Sequence, residues 1–215
     1  ILAQVTTVLM FYIDAGMVGS LGAEPSAAIG LVEPATWLIF SLVSAVTMGF
    51  SVQVAHFIGA NDFPKARAVM RHGYVFGLCF SLLMLLIAFL IGPRLPIWLG
   101  GGTDIQHDAM VYFLIFSCIT PFHLIEYMSG AMLKVAGDMR RPSMMAILMC
   151  VLDVIFNYFL IFPTRTISLF GIELTMPGFG AGVAGAALGS LLAFVCVALP
   201  LAYYAIFRSP ILAWK

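Results

Sequence analysis

Residues 143–162, SMMAILMCVLDVIFNYFLIF, run for twenty positions in which Ser143, Asp153 and Asn157 are the strongly polar ones. A helix needs roughly 20 apolar residues to cross about 30 Å of hydrocarbon, so this stretch is long enough to span a bilayer. Five further stretches read the same way: 1–20, 27–58, 68–91, 109–133 and 181–207. The second is long enough to require tilt or an end emerging from the membrane. The fold class predicted is all-α integral membrane, with six transmembrane helices.

Composition agrees. The chain is 62% hydrophobic and 9% charged, against about 25% charged in a typical soluble domain. A soluble fold of 215 residues has too little interior for that much apolar side chain. Net charge is zero and no basic block occurs, so no nucleic-acid partner is expected; the lipid bilayer is. Cys79, Cys118, Cys150 and Cys196 fall inside apolar runs without a CxxC pair, which reads as packing. The chain opens on Ile1, in mid-hydrophobic sequence without a basic leader, so the beginning of span one is expected to be missing and the sequence to be a fragment.

Punctuation separates the spans. Gly22-Ala23-Glu24-Pro25 reads as a tight turn, and Gly59 to Asp62 opens a polar connector. Residues 93–103 form an irregular loop, and 137–142 a polar turn. The longest connector, 164–180, carries a hairpin-like pattern at 166–171. Connectors after spans two, four and six hold eight basic residues (Lys65, Arg67, Arg71, Lys134, Arg140, Arg141, Arg208 and Lys215), and the others hold two, Arg94 and Arg165. That bias puts the first group in the cytoplasm.

Four of the ten acidic residues lie in spans: Asp14, Glu33, Glu126 and Asp153. A charge at mid-bilayer costs about 2.5–3.5 kcal/mol on insertion scales, so such residues face a cavity or a partner. Apart from Arg71 at the inner edge of span three, the spans contain no lysine or arginine. Each acid must therefore take up a proton, meet cavity water or neutral donors, or bind a cation. At about 1.5 Å per residue, Asp14 and Asn157 each lie roughly 8 Å inside the outer surface, with Glu33 near that level. Asp153 stands one turn deeper on the face of Asn157, by i,i+4 spacing. Glu126, eight residues before Lys134, belongs to the inner half. A polar site made by spans one, two and five is predicted.

Weaker features read as architecture. His56 and His72 lie at inner span ends, His107 in an outer loop, and His123 reads as a packed or hydrogen-bonded side chain. Pro34, Pro121 and Pro200 are expected kink sites. Gly73-x-x-x-Gly77 and Gly185-x-x-x-Gly189 permit close helix approach, and the small-residue stretch 178–189 reads as packing without chemistry. No HExxH, GxSxG, P-loop or Gly-x-Gly-Asp protease motif occurs, so neither an enzyme nor ATP-driven transport is indicated, and no cofactor is implied.

Four motifs then resemble one family. Asp14-Ala-Gly-Met-Val-Gly-Ser-Leu-Gly22, continued by Ala27-Ala28-Ile29-Gly30, resembles the first-span signature of the multidrug and toxic compound extrusion (MATE) transporters. Residues 54–62, VAHFIGAND, resemble its AQ-x-x-GAGD end of span two, with His56 where Gln is usual. Residues 136–142, AGDMRRP, are similar to its G-D-T-R-x-P turn, and 180–187, GAGVAGAA, to its entry to span six. The resemblance implies a twelve-helix transporter of two six-helix lobes in the plasma membrane, the inner membrane in a bacterium. It would export drug-like substrates in exchange for Na⁺ or protons. Residues 1–215 would be the N-terminal lobe, and the second six-helix lobe its missing partner.

The resemblance also implies a coupling site in this lobe. Asp14 matches the family's span-one Asp, and Asp153-x-x-x-Asn157 reverses the order N-x-x-x-D of many members. Asp14, Asp153 and Asn157 are the implied proton or Na⁺ ligands. Glu33 and Glu126 are further candidates for substrate contact or coupling. Competing readings are a flippase for lipid-linked or polysaccharide precursors, whose phosphates would call for basic span residues, an intramembrane enzyme using paired acids, and an assembly subunit.

Overall fold

The computed structural model describes residues 2–169 and 172–213. In chain order the elements are α1 (Leu2–Gly19), α2 (Ala23–Gly59), α3 (Phe63–Ile91), α4 (Leu95–Trp98), α5 (Gln106–Ser117) and α6 (Thr120–Val135). There follow α7 (Arg140–Ile161), strands β1 (Pro163–Leu169) and β2 (Ile172–Phe179), and α8 (Gly182–Tyr203), which ends in a π-helical turn at Tyr204–Arg208. Among the described residues, four helices are long and apolar enough to cross a membrane: α2, α3, α7, and α8 with its π turn. The α5–α6 pair, bent by 41° at its break, makes a fifth span. The sixth expected span, α1, has 18 residues, just under the usual crossing length.

The expected boundaries shift in identifiable ways. Gly22-Ala-Glu-Pro25 is not a free turn: α2 begins at Ala23, and Pro25 sits in its first turn, where a missing N–H costs nothing. Pro34 lies within α2 without interrupting it, whereas Pro121 follows a true break between Ser117 and Thr120. Pro200 sits one turn before the α8 backbone widens into the π turn, consistent with the hydrogen bond that a proline removes. The hairpin is real and antiparallel, pairing Thr166 with Thr175 and Leu169 with Ile172, and its turn at 170–171 lies outside the described residues.

At 37 residues, α2 is about 55 Å long and outreaches the hydrocarbon. It packs along α3, α5 and α6, while α7 lies against both α1 and α8. Cores form at several levels: Val43, Met70, Leu124, Met128 and Leu212 cluster toward the inner end, and Met10, Ile119, Met149, Phe194 and Val197 mid-bundle. Large apolar residues such as Leu38, Leu82, Leu90 and Leu199 remain on the outside, as a bilayer-facing surface requires.

Short polar turns cap the helices at the α2–α3 and α6–α7 junctions. Asp62 caps α3 by accepting from the Lys65 N–H at 3.2 Å, and Asn61 takes a left-handed conformation before it. Hydrogen bonds from Lys65 hold the exposed Asp62 carboxyl below its usual range. Partial burial pushes the Asp138 carboxyl up, yet its bonds from Arg141 outweigh that and leave it low. The Arg141 guanidinium also lies over the Tyr204 ring at 4.0 Å, and Arg67 Nε donates to the Ile211 carbonyl at 2.9 Å. The π turn and the segment after it are thereby strapped to α7 and α3.

The two glycine pairs differ in what they face. A Cβ on Gly73 would press on the Phe50 side chain at 3.0 Å, which can shift. A Cβ on Gly185 would overlap the Leu160 main-chain carbonyl, which cannot. Gly185→Ala is therefore expected to destabilise the α7–α8 seam by about 1–3 kcal/mol. The thermal midpoint of the purified protein should fall further for Gly185→Ala than for Gly73→Ala.

Candidate functional site

Toward the C-terminal ends of α1 and α7, α1 delivers Asp14 to the face of α7 that carries Asp153 and Asn157. The Asn157 amide nitrogen donates to Asp14 Oδ1 at 3.0 Å and to Asp153 Oδ2 at 3.1 Å. Both amide hydrogens are thus used on two carboxylates from two helices. Asp153 and Asn157 are each 1% exposed, and Asp14 is half-buried. The i,i+4 spacing stacks the two α7 side chains on one face and places the amide between the acids.

Three further elements complete the surroundings. A Cβ on Gly189 of α8 would fall on Asn157 Oδ1 and crowd its main-chain nitrogen, so a glycine is required for α8 to approach there. Ser190, the next residue, reaches Asp153, and the two carboxyl groups lie within hydrogen-bonding reach of each other. Tyr112 of α5 feels the charges of Glu33, Asp14 and Asp153 together. Asn157 Oδ1 is buried without a hydrogen-bond partner. The donor set is all oxygen: two carboxylates and one orphaned amide carbonyl. Such hard donors suit a proton or a small cation without directional demands. Among the described residues no three His, Cys, Asp or Glu side chains converge as a metal-binding group.

The predicted residues therefore divide. Asp14, Asp153 and Asn157 meet as expected. Glu33 does not join them: it is exposed on α2, accepting a 3.3 Å hydrogen bond from Trp37 Nε1. The α2 helix starts at Ala23, so Glu33 is ten residues in, about 15 Å along it. Rise along a helix predicts level but not which face a residue takes. Glu126 stays apart on α6, under the influence of Lys134 two turns along the same helix. His123 is the packed histidine expected, stacked on Phe40 with centroids 4.4 Å apart and Nε2 3.4 Å from Ser44 Oγ. Sequence reasoning missed Tyr112, Gly189 and Ser190. For Gly189 a signal existed, since the GxxxG stripe read as packing alone forms the wall against Asn157.

This convergence is directly checkable. With the four native cysteines replaced, the pair Asp14→Cys and Asn157→Cys should be joined by a short bifunctional thiol reagent. The control pair Asp14→Cys and Glu126→Cys should not be. Cross-linking reads out as a band resistant to cleavage of an engineered site between α1 and α7.

Comparison with known proteins gives the same picture. A family model described as MatE matches residues 1–159. A FAD transporter of Shewanella oneidensis is 28% identical over 167 residues, covering 75% of this chain and 36% of that protein. A probable multidrug resistance protein NorM of Chromobacterium violaceum is 24% identical over 197 residues, covering 92% of the chain and 40% of the relative. The chain thus spans about two fifths of the length of these curated relatives. Among solved structures, a multidrug resistance MATE family transporter of the MOP superfamily in its outward-facing conformation superposes with a TM-score of 0.85 at 23% identity. That match covers 99% of this chain and 44% of the other. A structure described as the inward-facing conformation of a multidrug resistance MATE family transporter gives 0.81 at 23% identity, covering 95% and 43%. At these identities the structures establish the fold, and the family model establishes membership: the chain belongs to the MatE family of multi-pass membrane transporters.

Proposed function

We propose that residues 1–215 form the N-terminal six-helix lobe of an ion-coupled antiporter, in which Asp14, Asp153 and Asn157 bind the coupling proton or Na⁺. The complete protein would export amphipathic, often cationic compounds from a bacterial cell across its inner membrane by alternating access. The observation that carries this is the pair of carboxylates bridged by one amide. Two acids in contact, largely withdrawn from water and without a basic side chain, hold negative charge that a proton or Na⁺ neutralises.

The geometry suggests how occupancy is felt. With both acids ionised, Asn157 donates to each and ties α1 to α7. A proton taken up by either acid can be donated to the other, since the two carboxyl groups lie within hydrogen-bonding reach, and the Asn157 amide then bridges one charge in place of two. Na⁺ would instead draw the same oxygens together. Either ion favours a different seating of α1 on α7, and a ligand shifts a conformational equilibrium by its differential affinity for the two states.

The eight-to-two distribution of basic residues supports connectors after spans two, four and six being cytoplasmic. A second substrate reading has one observation behind it, the similarity to a FAD transporter. A dinucleotide carries phosphates, and the scarcity of basic residues in these spans argues for cations instead.

Efflux from vesicles holding the complete transporter tests the proposal. Asp14→Asn or Asp153→Asn should each lower gradient-driven export by at least about tenfold, within the range of typical coupling energies, with insertion unchanged. Separate Na⁺ and H⁺ gradients identify the ion. Full efflux by the double variant would remove the pair from coupling.

A further inference from the structure

We infer that Glu33, with the Trp37 indole and the Phe11 ring, is a specificity-determining element that reads the positive charge of an amphipathic organic cation, separate from the Asp14–Asp153 pair. This rests on the exporter reading above and adds the residues that select the cargo.

Level comes first. The Phe11 and Trp37 rings touch across the α1–α2 seam, with centroids 5.3 Å apart and planes at 43°. The two helices are antiparallel neighbours, so one turn outward from Phe11 leads toward Asp14, and one turn outward from Trp37 leads to Glu33. The exposed acid is thus level with the buried pair. Neither ion pair among the described residues involves it: those are Lys65–Asp62 and Arg141–Asp138, both at helix junctions.

Exposure comes second. Glu33 is exposed, Trp37 is 47% and Phe11 43% exposed. A carboxylate inside a span does not face lipid tails; acids at such depth face a water-filled cavity or a partner. The α1–α2 face around Glu33 is therefore turned to the translocation path. What the three residues present there is chemically specific. Trp37 Nε1–H orients one carboxylate oxygen, leaving the other free, and both aromatic rings offer faces that attract cations. A delocalised or quaternary cation carrying apolar surface complements all three, while an anion meets repulsion. Tyr112, which feels Glu33 as well as the buried acids, puts the cargo's charge and the coupling ion within electrostatic reach of one hydroxyl.

The test uses the complete transporter in vesicles, with tetraphenylphosphonium and its neutral relative triphenylphosphine oxide as probes. Glu33→Gln should lower the ratio of cation to neutral efflux about tenfold, Glu33→Asp should largely restore it, and Trp37→Leu should lower it more than Trp37→Phe. Where the neutral probe is not carried, the Kd of the purified protein for tetraphenylphosphonium replaces the ratio. A tenfold rise in Glu33→Gln then supports the role, and an unchanged Kd overturns it. Wild-type protein that moves both probes, with a ratio that Glu33→Gln leaves unchanged, also overturns it and leaves the exporter reading standing. Wild-type protein that moves neither probe under either ion gradient overturns the exporter reading itself. Size-exclusion profiles matching wild type show that each variant is folded.

Discussion

A single side-chain amide, that of Asn157, divides its two hydrogens between Asp14 on α1 and Asp153 on α7, and among the described residues no basic side chain pairs with either acid. The architecture around it is arranged to make that bond available. The i,i+4 spacing on α7 stacks amide over acid, α1 packs along α7 so that its own acid arrives, and α8 comes close because it is glycine there. Remove the amide and two carboxylates from different helices are left side by side, with Ser190 beside Asp153. The apolar span that first identified the chain as a membrane protein thus carries its least membrane-like residues at the point of greatest packing demand.

Much of this was legible in the sequence, for physical reasons that also mark its limits. Hydrophobic runs are forced by the thickness of the bilayer, so the elements and their order follow from length and composition. The Asp153–Asn157 pairing follows from helical periodicity, and the level of Asp14 from rise per residue. Direction around a helix axis is another matter. Nothing local says whether Glu33 turns toward α7 or outward beside Trp37; the packing of α1, α5 and α7 against one another decides it. Gly189 was hidden for the opposite reason: its contribution is an absent side chain, and its contact is with a residue 32 positions away.

Proline shows the same division. Pro34, Pro121 and Pro200 all remove a backbone donor, yet only Pro121 accompanies a broken helix. The break leaves His123 on the first turn of α6, stacked on Phe40 and edge-on to Phe194, so the bend is filled with aromatic surface. At the other end of the bundle, Arg67 and Arg141 bind a carbonyl and a ring rather than acids of other helices. Basic side chains that report orientation in the sequence thus also fasten the inner ends together.

The glycine at 189 sets the dimensions of the ion site in an unusual way. The surface facing Asn157 Oδ1 is main chain, and main chain has no rotamers to change. On that side, the room at the proposed ion site is set by the separation of α7 from α8. A bilayer that squeezes or relaxes that seam would alter the fit for a bare cation while leaving a proton's fit almost untouched. If the proposed coupling site is the right one, choice of ion in such a lobe becomes a mechanical property, responsive to lateral pressure as well as to chemistry.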